Sequence, residues 1–107
     1  MGISCPPSLA GNDLSQTNLS GANLTKASLA EANLKGSNLS RANLSGANLS
    51  GADLRVILIH GNLGEIKIKT NLTQANLKGA NLSGANLDGA VLCHTTMPDG
   101  KLVYSNC

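Results

Sequence analysis

The chain has 107 residues, 41% hydrophobic and 13% charged, with a formal net charge of +2. That balance suits a single domain, and neither a nucleic-acid binder nor an acidic decoy follows from it, because both would need a dense patch of one sign. With no Trp or Phe and Tyr104 the only aromatic residue, base-stacking platforms and aromatic-lined pockets are poorly supplied.

Residues 1–11 do not repeat, and Ile3, Cys5, Pro6, Pro7 and Leu9 suit a lid over the first layer of whatever follows. Cys5 reads as a small buried hydrophobe. The start, Met1-Gly2-Ile3-Ser4-Cys5, lacks a basic segment followed by an apolar one, and no apolar run approaches the ~20 residues of a membrane span. A soluble chain is expected.

From residue 12 to residue 92 leucine returns every five positions, from Leu14 to Leu54 and again from Leu72 to Leu92. A helix would rotate successive leucines by about 140°, and a straight strand would throw them onto opposite faces, so neither builds an apolar surface. A chain that turns a corner once per repeat points every leucine at one axis and stacks its coils as a solenoid. Two residues before nearly every leucine from Leu19 on stands alanine, as in Ala22, Ala47 and Ala80, with Thr17, Ser37 and Thr70 as polar exceptions. Residues two apart in extended chain face the same way, so both point inward. Asn or Asp lies between them, placed to bond turn backbone or to stack in a ladder. Two residues after the leucine come Gly21, Gly36, Gly46 and their equivalents, with Gln16, Lys26, Glu31, Arg41 and Gln74 elsewhere, which marks a solvent-facing corner with positive φ.

These residues, Ala-Asn-Leu-Ser-Gly with small variations, closely resemble the pentapeptide-repeat family, whose motif is Ala-Asp/Asn-Leu-x-x. The resemblance implies an all-β protein, a right-handed quadrilateral β-helix with four repeats per coil and irregular N-terminal and C-terminal caps. Each buried leucine should contribute about 1.5–3 kcal/mol before entropy is subtracted. A core of this kind needs no metal or cofactor.

Between Leu54 and Leu72 the spacing is 18, where four regular steps need 20. Two accounts of residues 55–69 compete. The favoured one keeps the coil, with Val56 and Leu58, Gly61 and Leu63, and Ile66 and Ile68 as inward pairs and Ile57 and Ile59 outside. The other is a hairpin turning at Gly61-Asn62-Leu63-Gly64 that sets Ile57 and Ile59 against Ile68 and Ile66. In either case Ile57 and Ile59 form a candidate contact for a partner. Lys35 and Arg55, 20 residues apart and hence stacked on a four-sided coil, join Lys67 and Lys69 as a candidate basic surface for an acidic protein partner.

After Leu92, Pro98-Asp99-Gly100 predicts a turn that folds residues 93–107 back as a cap, bracketed by Cys93 and Cys107. A disulfide between these two cysteines is expected, contributing about 3 kcal/mol for a loop of this length. The tail is similar to those of pentapeptide proteins from cyanobacteria and the chloroplast thylakoid lumen. That likeness favours a periplasm or lumen if a targeting segment has been removed, and the absence of a signal favours the cytoplasm.

His60, His94, Cys93 and Cys107 match no zinc spacing, and Cys93 and His94, as neighbours in extended chain, point apart. The repeated Asn and Ser are explained by turns, so no catalytic residue is assigned. The leading expectation is a non-enzymatic, rigid scaffold that binds a protein partner but neither nucleic acid nor membrane, as a monomer or weak dimer. The alternative is a DNA mimic that protects gyrase. Family members of that kind are acidic, often place Phe at repeat centres and dimerise through C-terminal elements, and this chain departs on each point.

Overall fold

The computed structural model describes residues 8–107, all strand, bridge and turn with no helix among them. The chain forms a right-handed, four-sided β-helix. Its four coils carry at their inward centres Leu9, Leu14, Leu19 and Leu24, then Leu29, Leu34, Leu39 and Leu44, then Leu49, Leu54, Leu72 and Leu77, and last Leu82, Leu87, Leu92 and Met97. Leucines of the two middle coils have no more than 1% of their surface exposed, and Ala27, Ala32, Ala42, Ala47 and Ala52 fill the space beside them. A cross-section this narrow accommodates one large and one small side chain per side, which is why the repeat alternates them.

Parallel bridges stack each repeat on its counterpart in the next coil, Asn18 on Asn38 and Asn23 on Asn43. Leu19 N–H donates to the Asn38 carbonyl at 2.7 Å, and Asn38 N–H donates back to Thr17 at 2.9 Å. Corners are closed within each repeat: the Ala22 N–H reaches the Leu19 carbonyl at 3.0 Å, and Gly21 between them has φ 70°. Positive φ at the third turn position is the type II pattern. Gln16, Lys26, Glu31, Arg41 and Gln74 adopt it too, at φ 56–61°, a conformation that costs an L-residue about 1–2 kcal/mol and persists because the neighbouring coils hold it. Each outward Asn caps its corner, as Asn38 Oδ1 does by accepting the Ser40 N–H at 3.0 Å. The alternative role, a side-chain ladder between coils, is not the one these bonds serve.

Two boundaries move. Ser8 already bridges Ser28 and Leu9 N–H donates to Ser28 at 2.7 Å, so residues 8–11 belong to the first coil rather than to a cap. The remainder of the expected N-terminal cap, Cys5 included, lies outside the described residues. At the other end Val91 and Thr96 bridge Asn71 and Asn76, so the last coil runs on through Met97.

Leu54 and Leu72 are consecutive centres. Bridges join residues 20 apart on either side of the interruption and 33 apart across it, as Asn33 with Asp53 and Asn38 with Asn71. Thirteen residues, 57–69, therefore leave the coil at one corner and return to the same place. They form two antiparallel strands, β1 (Ile57–Gly61) and β2 (Gly64–Ile68), joined at Asn62-Leu63. The coil account of 55–69 is overturned. The physical reason is Val56, which occupies a corner position where other repeats place Gly or a long polar residue at positive φ. A β-branched residue resists that conformation, φ at Val56 is not positive, and the chain continues extended. The two glycines stacked on that corner make room: a Cβ on Gly36 would lie 3.0 Å from both Ile57 Cδ1 and Ile68 Cγ2, and one on Gly89 would lie 2.8 Å from Val56 Cγ1.

A second antiparallel pair, β3 (Leu92–Thr96) and β4 (Leu102–Ser105), ends the chain. His94, at φ 53°, is the extra residue of a bulge between the Cys93–Tyr104 and Thr95–Val103 pairs. The expected turn is present, with Gly100 N–H donating to Met97 at 2.8 Å and Lys101 N–H to Asp99 Oδ1 at 3.0 Å. Cys93 and Cys107 are placed as a disulfide with Cα atoms 4.9 Å apart, within the range a disulfide spans.

Candidate functional site

The interruption gathers the residues with the most to offer a partner. On β1–β2, Ile57 faces Ile68 and Ile59 faces Ile66 on one side of the ribbon, while Leu58 faces Lys67 and His60 faces Glu65 on the other. Only the root is packed: Ile57 and Ile68 are half-buried over Gly36, whereas Leu58, Ile59 and Ile66 are exposed and Leu63 at the tip is 104% exposed. Of the two isoleucines expected on the surface, Ile59 is there and Ile57 is a root contact. Leu58, Leu63 and Ile66, assigned inward by the coil account, are the residues that project. Their signal was available, since two alternating apolar runs flank a Gly-Asn-Leu-Gly turn.

The basic residues divide. Lys35 and Arg55 stack on consecutive coils, as the 20-residue spacing predicts, with Asp88 next in the column. Arg55 is engaged: its Nε and Nη2 donate to the Asp53 carboxylate at 2.9 and 2.8 Å. The hydrogen bond from Arg55 holds the Asp53 carboxyl below its ordinary pKa, and the same contact raises Arg55. Asp13, two coils away in the same column as Asp53, is lowered chiefly by the Ser15 hydroxyl. Lys67 and Lys69 form no ion pair among the described residues. They line a groove of about 270 Å3 together with Val56, Leu58, Gly89 and Asn106, between the hairpin and the last coil. His60 Nδ1 lies 3.6 Å from Glu65 Oε2, both exposed.

Thr70 carries the junction. At regular corners a glycine amide donates directly to the next coil, Gly21 to Ser40 and Gly46 to Lys78, both at 2.9 Å. Gly36 N–H instead donates to Thr70 Oγ1 at 2.8 Å, and that hydroxyl lies 3.2 Å from the carbonyls of both Arg55 and Leu34. The hydroxyl is inserted between the Gly36 N–H and the Arg55 carbonyl, the acceptor that the regular pattern would give it. Above it Ser37, equally buried, leaves its Oγ unpartnered.

His94 rests edge-on against Tyr104, centroids 4.5 Å apart, and shares no ligand geometry with Cys93, whose sulfur is committed to Cys107. Among the described residues no three His, Cys, Asp or Glu side chains gather to hold a metal, and no helix is long and apolar enough to cross a membrane.

No curated protein matches the chain. Among solved structures it is similar to HetL of Nostoc sp. strain PCC 7120, a protein involved in regulating heterocyst differentiation, at 32% identity over 85% of this chain and 43% of that one, with a TM-score of 0.47. It is similar to alr5209, also from Nostoc PCC 7120, at 33% identity over 85% of this chain and 64% of that one, TM-score 0.41. Rfr23 of Cyanothece 51142 matches at 27% identity over 82% of this chain and 61% of that one, TM-score 0.47. The chain spans less than two thirds of the length of each. The family model for pentapeptide repeats matches in 8 copies over residues 8–41, 17–55 and 68–103, leaving out the hairpin, and with the coil geometry this makes the chain a member of the pentapeptide-repeat family.

Proposed function

We infer that the protein is a non-enzymatic, rigid β-helical scaffold that binds another protein through the side interrupted by β1–β2. The observation that carries this reading is the exposure of Leu58, Ile59, Leu63 and Ile66 on a ribbon packed against the coil only at its root. Two strands alone are marginal in water, and apolar side chains held there are costly unless something covers them. Among the described residues the coil interior is filled by its leucines and alanines, which suits a binding surface better than a catalytic pocket. An oxidising compartment, periplasm or thylakoid lumen, suits the paired Cys93 and Cys107. The gyrase-protecting alternative gains no support from a column that places Lys35 and Arg55 at its middle.

The test compares the full chain with a variant in which residues 57–69 are deleted and Val56 is replaced by Gly, which joins Leu54 to Leu72 at the regular five-residue step. It should fold as an uninterrupted solenoid. Proteins captured from native extract by the full chain and lost from the deletion variant support the reading, and identical capture by both overturns it.

A further inference from the structure

The last coil is half covered. β4 pairs along β3 on the third and fourth sides, but nothing among the described residues lies along the first and second. In the third coil Leu49, Gly51, Leu54 and Val56 each donate their N–H to the coil beyond, at 2.7–3.1 Å. Their counterparts Leu82, Gly84, Leu87 and Gly89 have no acceptor among the described residues, and the carbonyls of Ala80 and Ala85 have no donor. Leu82, Leu87 and Ala85 are only partly buried, where Leu49 and Leu54 directly above them are at most 1% exposed. This is an edge with its donors, acceptors and apolar residues already in the register of one more layer.

The edge runs into the groove beneath the hairpin. Gly89, the last of the four unpaired donors, lines that groove with Leu58, Lys67, Lys69 and Asn106. Glu65 also borders it but faces His60 at 3.6 Å, and Asp88 sits beside Arg55 on the outer side of the column. The two lysines are left as cations at the end of a strand-accepting edge.

We propose that the first and second sides of the last coil accept an extended segment of a partner protein as an added β-strand. Its carbonyls take the N–H groups of Leu82, Gly84, Leu87 and Gly89, its apolar side chains cover Leu82 and Leu87, and a carboxylate at its end meets Lys67 and Lys69 under the hairpin. Backbone bonds supply affinity and the lysines supply direction, the usual division in strand addition. The proposal deepens the scaffold reading by naming the partner's chemistry, and rests on it for biological meaning.

The probe is a fluorescein-labelled peptide, Ala-Asn-Leu-Ser-Gly-Ala-Asn-Leu-Ser-Glu-Glu, against the same peptide ending in Lys-Lys, titrated into the full-length chain and followed by anisotropy. The acidic peptide should bind saturably and about tenfold or more tighter than the basic one, a preference that Lys67→Glu with Lys69→Glu reverses. Amide exchange at Leu82, Gly84, Leu87 and Gly89 should slow on binding while that of the middle coils stays constant. Equal binding of the two peptides, binding without protection of those amides, or no saturable binding overturns the proposal. So does sedimentation showing that the free protein self-associates with the same amides protected, which gives the edge to a second copy. Loss of hairpin-dependent capture from extract with peptide binding intact would count against the scaffold reading alone.

Discussion

Thr70→Val is the sharpest probe of how the coil survives its interruption. The substitution keeps the volume of a fully buried side chain and deletes only the hydroxyl that accepts from Gly36 N–H at 2.8 Å and bridges to the Arg55 and Leu34 carbonyls at 3.2 Å. The direct bond of a regular corner would run from Gly36 N–H to the Arg55 carbonyl, and here the Thr70 side chain stands between the two, a place that the valine methyl group keeps filled. One donor is left unpaired at a half-buried corner, a loss of about 1–3 kcal/mol. For a domain of about a hundred residues that corresponds to roughly 4–8 °C in Tm per kcal/mol. Thr70→Ser keeps the hydroxyl and loses one methyl, about 0.8 kcal/mol. Since the two variants overlap in stability, the deciding measurement is amide exchange by NMR. In Thr70→Val the Gly36 amide should exchange about tenfold faster relative to Gly46, while in Thr70→Ser the ratio should stay near that of the parent chain. A Thr70→Val protein with unchanged Gly36 protection and stability within about 0.5 kcal/mol of the parent would refute the bridging role.

Three further outcomes follow from the same geometry. Gly21 and Gly36 share positive φ, but an added Cβ meets nothing within 4 Å at Gly21 and two isoleucine carbons at 3.0 Å at Gly36; both Ala substitutions should cost about 1–2 kcal/mol in urea unfolding and Gly36→Ala measurably more. The carboxyl of Asp53 is depressed in the folded protein, so its contribution is present above the unfolded value near 4 and is lost as pH falls through the lower folded one; Asp53→Asn, which keeps the Oδ1 acceptor, should be within about 1 kcal/mol of the parent at neutral pH and lose that part of the acid sensitivity in thermal melts at pH 2–7. Reduction of Cys93–Cys107 should lower stability by about 2–4 kcal/mol and speed exchange in β4 before the middle coils, and reductant-independent melting with all three cysteines titratable as thiols in the untreated protein would contradict the pairing.

What the sequence disclosed follows from which interactions repeat. Leu29, Leu34, Leu39 and Leu44 sit in one environment apiece, so their spacing reports the corner period directly and fixes the inward and outward positions. Gln16 and Lys26 at glycine positions read correctly as water-facing corners for the same reason. The excursion is masked because 18 residues lie near 20, although they are also one five-residue step with 13 inserted. Two clues favour the second division: the alternating apolar runs around Gly61-Asn62-Leu63-Gly64, and Val56, whose branched side chain is wrong for a corner. No periodicity announces Thr70, since its hydroxyl acts through a contact with Gly36 34 residues away. The open edge at Leu82 to Gly89 is equally hidden, because these residues repeat the pattern of buried ones and differ only in that no described residue lies beyond them. Lys35 and Arg55 were placed together correctly, but that Arg55 is taken by Asp53 depends on side-chain geometry two residues apart.

The return of the chain to the corner it left has a wider implication for how such proteins diversify. Because hydrogen bonding between layers is indifferent to how many residues intervene at a vertex, the tube behaves like a pegboard: a recognition loop can be fitted, lengthened or discarded at one vertex without re-registering any other. Novelty in binding can then accumulate on an unchanged chassis, provided the neighbouring vertices hold residues as slight as Gly36 and Gly89.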